Sequence, residues 1–264
     1  MIPFLTHQAS MWSKHIRILR ALVFREATTR YGRDNIGLLW IVGEPAIFAI
    51  GVMIMWSFIR PPYDRGLRLL PFLMTGYLPL LLIRHMVSQG INCALVNANL
   101  LYHRQITILH LFIARAVMEF IGNSMSSAII VGASIVLGLI DPPRSVATVI
   151  NGWFLLAYMS FGLTIILGSC VGITEAVEKF ANLLTYILIP VSGAFYMVDW
   201  VPYRYRELVL KIPFVNCMEM IRDGFFGDSY PTYYSVGYAF ISATVMILVG
   251  LVIMQFVRNR VQLE

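Results

Sequence analysis

Val146-Ala-Thr-Val-Ile-Asn-Gly-Trp-Phe-Leu-Leu-Ala-Tyr-Met-Ser-Phe-Gly-Leu-Thr-Ile-Ile-Leu-Gly-Ser-Cys-Val-Gly-Ile173 is a run without a single charged residue. A hydrocarbon core about 30 Å thick is crossed by about 20 helical residues, so this run is long enough to span a membrane. Tyr233 to Val257 is a second charge-free run of the same kind. Four further stretches meet or approach the requirement: Ile36 to Ile59, Leu69 to Val87, Leu109 to Ile140 and Phe180 to Val198. Leu69 to Val87 carries Arg84 and His85 near its end, and Leu109 to Ile140 carries Arg115 and Glu119 near its start, which places those ends at an interface.

The whole composition agrees. Of 264 residues, 58% are hydrophobic and 13% charged, and the mean hydropathy is +0.74. Ordinary soluble domains carry about 25% charged residues, so a soluble globule is excluded, and so is a disordered chain. Cys93, Cys170 and Cys217 are odd in number, far apart and without C-x-x-C spacing, which argues against a disulfide framework and a zinc site. The net charge of +6 does not point to nucleic acid, because the basic residues flank apolar runs instead of gathering on one soluble face. The opening Met-Ile-Pro-Phe-Leu-Thr-His-Gln lacks the features of a signal peptide, so the N-terminus is expected to be retained.

These observations predict an all-α integral membrane protein with six transmembrane helices. Residues 1–34 form a cytoplasmic interface segment and residues 35–264 a six-span transmembrane domain. Lys and Arg beside a span stay in the cytoplasm. With both termini inside, eleven basic residues fall inside and eight outside, Arg84 being unassigned, and the first span has six before it and three after it. Both termini are therefore expected in the cytoplasm.

Met11 to Thr28 form no span. At 100° per residue Met11, Trp12, Ile16, Ile18, Leu19, Leu22 and Val23 fall on one half of a helix, and Lys14, Arg17, Arg20 and Arg25 on the other. Such a helix is expected to lie flat on the cytoplasmic membrane surface. Residues 90–108 mix polar and apolar side chains and form the long inner loop. Residues 200–232 are long for a structureless connection, and Pro213 with Gly224 and Gly227 marks a short helix, so two short outer helices are expected there.

Catalytic patterns are absent. No Walker A glycine-lysine loop, no H-E-x-x-H and no G-x-S-x-G occurs, and His7, His15, His85, His103 and His110 read as interfacial polar residues. Glu44, before Pro45 in the first span, and Arg84 are ionisable groups at membrane depth, where charge is costly and so points to function. Arg115 and Glu119, four residues apart, are expected to neutralise one another. Gly and Ser from Gly122 to Gly138 and from Gly162 to Gly172 are expected to let helices approach closely. Outside, Trp200, Tyr203 and Tyr205 alternate with Arg204 and Arg206, a combination that can stack on flat apolar faces and neutralise carboxylates, so these residues with Glu44 and Arg84 are the candidate substrate passage. Inside, Asn97, Asn99, Tyr102, His103 and Arg104 occupy the long loop of a chain with no phosphate-binding motif of its own, and they are the candidate contacts for an energy-supplying partner.

Four stretches carry a family likeness. Phe24-Arg-Glu-Ala-Thr-Thr-Arg-Tyr-Gly-Arg-Asp-Asn-Ile-Gly-Leu-Leu-Trp-Ile-Val-Gly-Glu-Pro45 resembles the opening of capsular-polysaccharide exporter permeases of the KpsM type, a branch of the ATP-binding-cassette exporters. Asn99 to Arg104, Ile113 to Glu119 and Pro213 to Gly224 agree in order and spacing. The resemblance implies a homodimer in the bacterial inner membrane with two copies of a cytoplasmic ATPase. It implies a lipid-linked, acidic polysaccharide as cargo and a periplasmic co-polymerase or export protein as a further partner. It also assigns the loop around residues 97–108 and the short loop of residues 174–180, with Glu175 and Glu178, to the ATPase. No cofactor is implied in this chain, since ATP and magnesium would sit on the partner. The alternatives are a secondary transporter of small anionic solutes, for which no inverted repeat is found, and a membrane-embedded transferase, for which no convergent nucleophile and base is found.

Overall fold

The fold is seen in a computed structural model, which describes residues 2–31, 37–59, 63–64, 67–101, 105–171 and 175–261. The long helices are α1 (Ile2–Tyr31), α2 (Gly37–Ile59), α3 (Leu69–Ile91), α6 (Ile108–Val136), α7 (Val146–Val171), α8 (Glu175–Val191) and α11 (Val236–Val261). Four short ones connect them: α4 (Cys93–Val96), α5 (Ala98–Leu101), α9 (Tyr203–Leu210) and α10 (Pro213–Phe226). The protein is all-α as expected, apart from Tyr63–Asp64 and Leu67–Arg68, which pair as a minimal antiparallel hairpin. It turns the chain from α2 into the antiparallel α3.

Among the described residues, five helices are long and apolar enough to cross a membrane: α2, α3, α6, α7 and α11. The run of residues 180–198 is not one continuous helix. Pro190 supplies no N–H to the helix ladder, α8 ends at Val191, and Gly193 takes φ +84°, a left-handed value open to glycine without a Cβ clash. In the same way the third span stops at Val136, and Leu137 to Ile140 form a turn around Gly138, at φ +68°. Apolar character continues past both ends, but the backbone does not.

Burial is uneven. Within the spans 83% of α3 and 61% of α7 is buried, against 17% of α2 and 11% of α11. Thus α3 and α7 are the core, while α2 and α11 turn apolar side chains such as Phe58, Ile241 and Phe256 outward. Hydrophobicity does not drive helices together in lipid; close packing does. A Cβ on Gly162 of α7 would stand 3.0 Å from Met246 Cβ of α11, and one on Gly168 would stand 2.6 Å from the Phe112 ring of α6. These two glycines therefore pack as expected. Gly132 of α6 has nothing within 4 Å of its missing Cβ, so it seats no neighbour among the described residues.

The first helix is longer than its periodicity suggests and packs on protein more than expected. Leu22 is buried with Leu111, Phe112 and Ala114 of α6, with Ile18 and Val23 packed against them. Ile16 of that face remains outward, 47% exposed, while Phe24, 72% exposed, falls among the basic residues on the other half of the helix.

Candidate functional site

Two polar centres organise the bundle, one at each end. The first surrounds α10. Its sequence begins with Pro213 at the first helical turn and ends at Gly227, whose φ of +57° stops the helix. Between them, polar residues recur every three or four positions, and each grips a neighbouring loop. Asn216 donates to Leu210 O at 2.8 Å and accepts from Ser235 N at 2.9 Å. Asp223 accepts from Tyr234 Oη at 2.9 Å and from Thr232 Oγ1 at 3.0 Å.

Glu219 and Arg222 lie between these two, with side chains 0% exposed and 3.2 Å apart. Arg222 also donates to Tyr196 O at 2.6 Å and to Ala194 O at 2.9 Å, and its guanidinium lies 5.1 Å from the centre of the Phe72 ring. Glu219 accepts from Val198 N and Tyr233 N at 3.3 and 3.4 Å. A buried ion pair is tolerated only when most of its remaining donors and acceptors are satisfied, and loop backbone meets them here except at Arg222 Nε, which has no hydrogen-bond partner among the described residues. The pair thereby clamps the turn after α8 and the entry to α11 onto one helix. Gly76 of α3 completes the fit, since a Cβ there would collide with Ala194 O.

The outer aromatic-arginine stretch is arranged differently from its linear pattern. Tyr203 to Leu210 is helical, so residues 203 to 206 fan around α9 at about 100° intervals and do not line one face. Tyr203 and Tyr205 are 86% and 54% exposed, and Arg204 is exposed. Arg206 is occupied: it donates to Val201 O, Asp199 O, Asp199 Oδ1 and Tyr233 Oη at 2.7–3.1 Å, and it stacks 5.0 Å from the Tyr233 ring. Trp200 packs its ring on Phe72 at 4.8 Å. Arg206 and Trp200 therefore build the outer segment, and Tyr203, Arg204 and Tyr205 are the members that face outward.

Of the two charges at membrane depth, Glu44 is exposed while Pro45 beside it is buried, so the acidic-proline pair is only half-buried. Arg84 is half-buried with its guanidinium 5.5 Å from the centre of the Tyr186 ring of α8. Neither has an ion-pair partner among the described residues.

The second centre joins the ends of α1, α3 and α6 to the segment of residues 90–108. Arg115 does not chiefly neutralise Glu119, which lies at 3.9 Å; its close partner is Glu26 of α1, at 2.5 Å. Arg115 also donates to the Gln89 side chain at 3.0 Å and to Gln89 O at 3.2 Å. Asn97 is 7% exposed and turned inward, donating to Glu26 at 3.3 Å and accepting from Arg25 at 3.1 Å. Its side chain ties α1 to the inner loop and is not a surface group. Asn99 is exposed; Tyr102, His103, Arg104 and the Glu175 side chain lie outside the described residues. Glu178 accepts from Asn92 Nδ2 at 3.0 Å, so the start of the segment of residues 90–108 touches the second inner loop that the family likeness singles out.

Glu26, Glu219, Arg222, Asn216 and Asp223 are the organising residues that sequence reasoning missed. Their signal was present in part, as acidic and basic residues three apart on a short amphipathic helix. What it lacked was any sign that the loops would close over that helix. The full burial of Arg222 also removes it from the solvent-facing basic residues, leaving seven of the eight expected outside.

Among the described residues no group of three or more His, Cys, Asp and Glu could hold a metal ion. His15 and His110 meet at 2.9 Å between α1 and α6 without a third ligand, and all three cysteines are free.

Comparison with known proteins agrees with this architecture. No family model matches the chain. It is 34% identical over 239 residues to the capsule polysaccharide export inner-membrane protein BexB of Haemophilus influenzae, covering 90% of each chain. It is 34% identical over 248 residues to the capsule polysaccharide export inner-membrane protein CtrC of Neisseria meningitidis serogroup B, covering 93% of this chain and 94% of that one. The polysialic acid transport protein KpsM of Escherichia coli is more distant, 23% identical over 241 residues. With a third of its residues shared across nine-tenths of its length, this chain belongs to the family of capsule polysaccharide export inner-membrane proteins.

Proposed function

We propose that this chain is the permease subunit of an ATP-driven exporter that carries lipid-anchored, acidic capsular polysaccharide across the bacterial inner membrane. The observation that carries the proposal is the end-to-end similarity to inner-membrane capsule export proteins of two organisms, in a chain whose structure is a bundle of membrane-length helices. In this reading α8 is the sixth and shortest crossing, with both termini in the cytoplasm and α9 and α10 at the periplasmic surface. The basic-residue distribution supports that orientation, and its margin is unchanged when the buried Arg222 outside and the ion-paired Arg115 inside are both set aside.

The functional unit is a homodimer with two cytoplasmic ATPase subunits that bind ATP and magnesium, and it hands the polymer to a periplasmic co-polymerase or export protein. The contact between Asn92 and Glu178 supports a single docking surface built from both inner segments, with Asn99 on its exposed side. Tyr203, Arg204 and Tyr205 are placed at the polymer's outer path, and Glu44 and Arg84 along the membrane passage.

The test is deletion of the gene with the glycan followed in both compartments. Polymer retained inside cells, restored to the surface by the wild-type chain, is the expected result. Unchanged surface capsule with no internal polymer overturns the proposal. Cysteine crosslinking from position 99 should capture the ATPase, and capture only from a different loop would move the docking surface.

A further inference from the structure

The end of α9, the start of α10 and the entry to α11 bound a cavity of about 510 Å³, within the range of about 300–1,000 Å³ common to small-molecule sites. Lys211, Tyr233, Tyr234, Ser235 and Tyr238 line it, and the buried Asn216 joins its two sides. Asn216 donates to Leu210 O on the α9 side and accepts from Ser235 N on the α11 side. None of Tyr203, Arg204, Tyr205 and Arg206 lines this cavity, so it is distinct from the outward face of α9.

The tyrosine rings are set in place by their hydroxyls. Tyr238 donates to Lys211 O at 2.7 Å, Tyr234 donates to Asp223 Oδ2 at 2.9 Å, and Tyr233 accepts from Arg206 at 3.1 Å. Tyr233 and Tyr238 nevertheless stay 38% and 40% exposed. Rings ordered before a ligand arrives lose little further freedom when it binds. The C–H face of a pyranose is apolar and faintly positive, which suits the negative face of an aromatic ring. Among the lining residues Lys211 alone is charged; it is exposed and has no ion-pair partner among the described residues. Glu207, one turn earlier on α9, neither lines the cavity nor pairs with Lys211, and both oxygens of Asp223 are taken by Thr232 and Tyr234. Ser235 Oγ accepts from Tyr238 N at 3.4 Å and keeps its own proton for an acceptor. The cavity therefore offers aromatic faces, one free cation and one free hydroxyl.

We propose that this pocket binds one carboxylated sugar unit of the exported polymer, with the pyranose face on Tyr233 and Tyr238 and the carboxylate on Lys211 and the Ser235 hydroxyl. A neutral sugar would leave the ammonium unused. A lipid would bring acyl chains, and Leu210 is the one aliphatic side chain among the lining residues, so the cavity holds nothing to receive them. Lys211 stands eight residues after Tyr203, about 12 Å along the helix at 1.5 Å each, so one extended glycan can meet both. The presence of polymer at this end rests on the proposed function; the preference for a carboxylated sugar rests on the pocket.

Saturation-transfer NMR on the purified full chain in phosphatidylcholine nanodiscs, titrated separately with methyl β-glucuronide and methyl β-glucoside, tests it. The two probes differ only at C6. The wild type should bind the glucuronide about threefold more tightly, the scale of one exposed ion pair. Lys211→Gln should bind the two alike, whereas Arg144→Gln, which removes an exposed cation outside the pocket, should keep the preference. Tyr238→Leu should weaken both glycosides about threefold by removing a stacking face, and Tyr238→Phe, which keeps the ring, should stay closer to the wild type. Should Tyr238→Leu fail to fold, Lys211→Gln still decides, because the Lys211 side chain holds no other part of the chain among the described residues. Equal affinity of the wild type for the two glycosides overturns the proposal, as does a preference that survives Lys211→Gln. Displacement of both glycosides, the neutral one included, by phosphatidylglycerol would assign the pocket to a lipid headgroup and overturn it as well. Surface capsule unchanged by gene deletion, with the Lys211-dependent preference intact, would count against the proposed function and leave the sugar site standing; capsule lost on deletion, with no preference in the wild type, would do the reverse.

Discussion

Replacing Arg222 with Met is the perturbation that most directly tests how the outer end is held. The guanidinium donates to Ala194 O, Tyr196 O and Glu219 Oε1, all within 3.2 Å, at a position with 0% exposure. Methionine fills much of the volume but supplies no donor. Each buried carbonyl left unsatisfied costs about 1–3 kcal/mol, and a buried carboxylate stripped of its partner costs about 3–5 kcal/mol. The terms overlap, since Glu219 keeps its contacts to Val198 N and Tyr233 N, so a loss of about 3–5 kcal/mol is expected. Glu219→Gln keeps the shape and leaves the arginine unpaired, with a loss of about 3 kcal/mol expected. In the double variant both charges are gone, and its cost should fall short of the sum of the singles by at least about 1 kcal/mol. The assay is reversible denaturation of the purified chain in mixed micelles, read by tryptophan fluorescence, because Trp200 sits against Phe72 beside the pair. Additive losses, or a loss below about 1 kcal/mol for Arg222→Met, would refute the reasoning.

Three further outcomes are expected. Glu26→Gln should lower stability by about 1–3 kcal/mol and Glu119→Gln by less, because Arg115 is 2.5 Å from the first and 3.9 Å from the second; the same denaturation assay ranks them. Gly162→Leu should cost about 1–3 kcal/mol by overpacking α7 against α11, whereas Gly132→Ala, with open space at its Cβ, should stay within about 0.5 kcal/mol of wild type. Arg206→Gln should reduce membrane abundance because it unties α9 from Asp199 and Tyr233, whereas Arg204→Gln and Tyr203→Ala should leave abundance normal and lower capsule output; immunoblotting against surface glycan measures both.

Apolar runs and their flanking charges were legible because crossing a membrane is a one-dimensional requirement. Enough consecutive side chains must tolerate hydrocarbon, and a linear text records that directly. The charge-free run at residues 146–173 announced α7, and the run at residues 233–257 announced α11. Pro213 and Gly227 marked the ends of α10, since one lacks an N–H and the other accepts a positive φ, both properties of a single residue. Element ends inside apolar stretches were not legible in the same way. Hydropathy does not change at Val136 or Val191, and only the turn geometry at Gly138 and Gly193 shows where the helices stop.

Pairings between distant residues belonged to the tertiary structure alone. Four-residue spacing on one helix suggested Glu119 as the partner of Arg115, yet α1 packs across α6 and delivers Glu26 to a shorter contact, 89 residues away in sequence. Asn97 looked like an exposed loop residue until the same helix covered it. The alternation of rings and guanidiniums from residue 203 to 206 promised one functional face, but helical geometry separates them and spends Arg206 on the fold. Sequence by itself therefore determined that this chain lives in a membrane, where its long helices lie and which family it resembles, because each of those rests on local composition, periodicity or order. Which charges are buried, paired or left facing outward was decided only when helices far apart in the chain met, since the energy of a charge depends on what surrounds it in space.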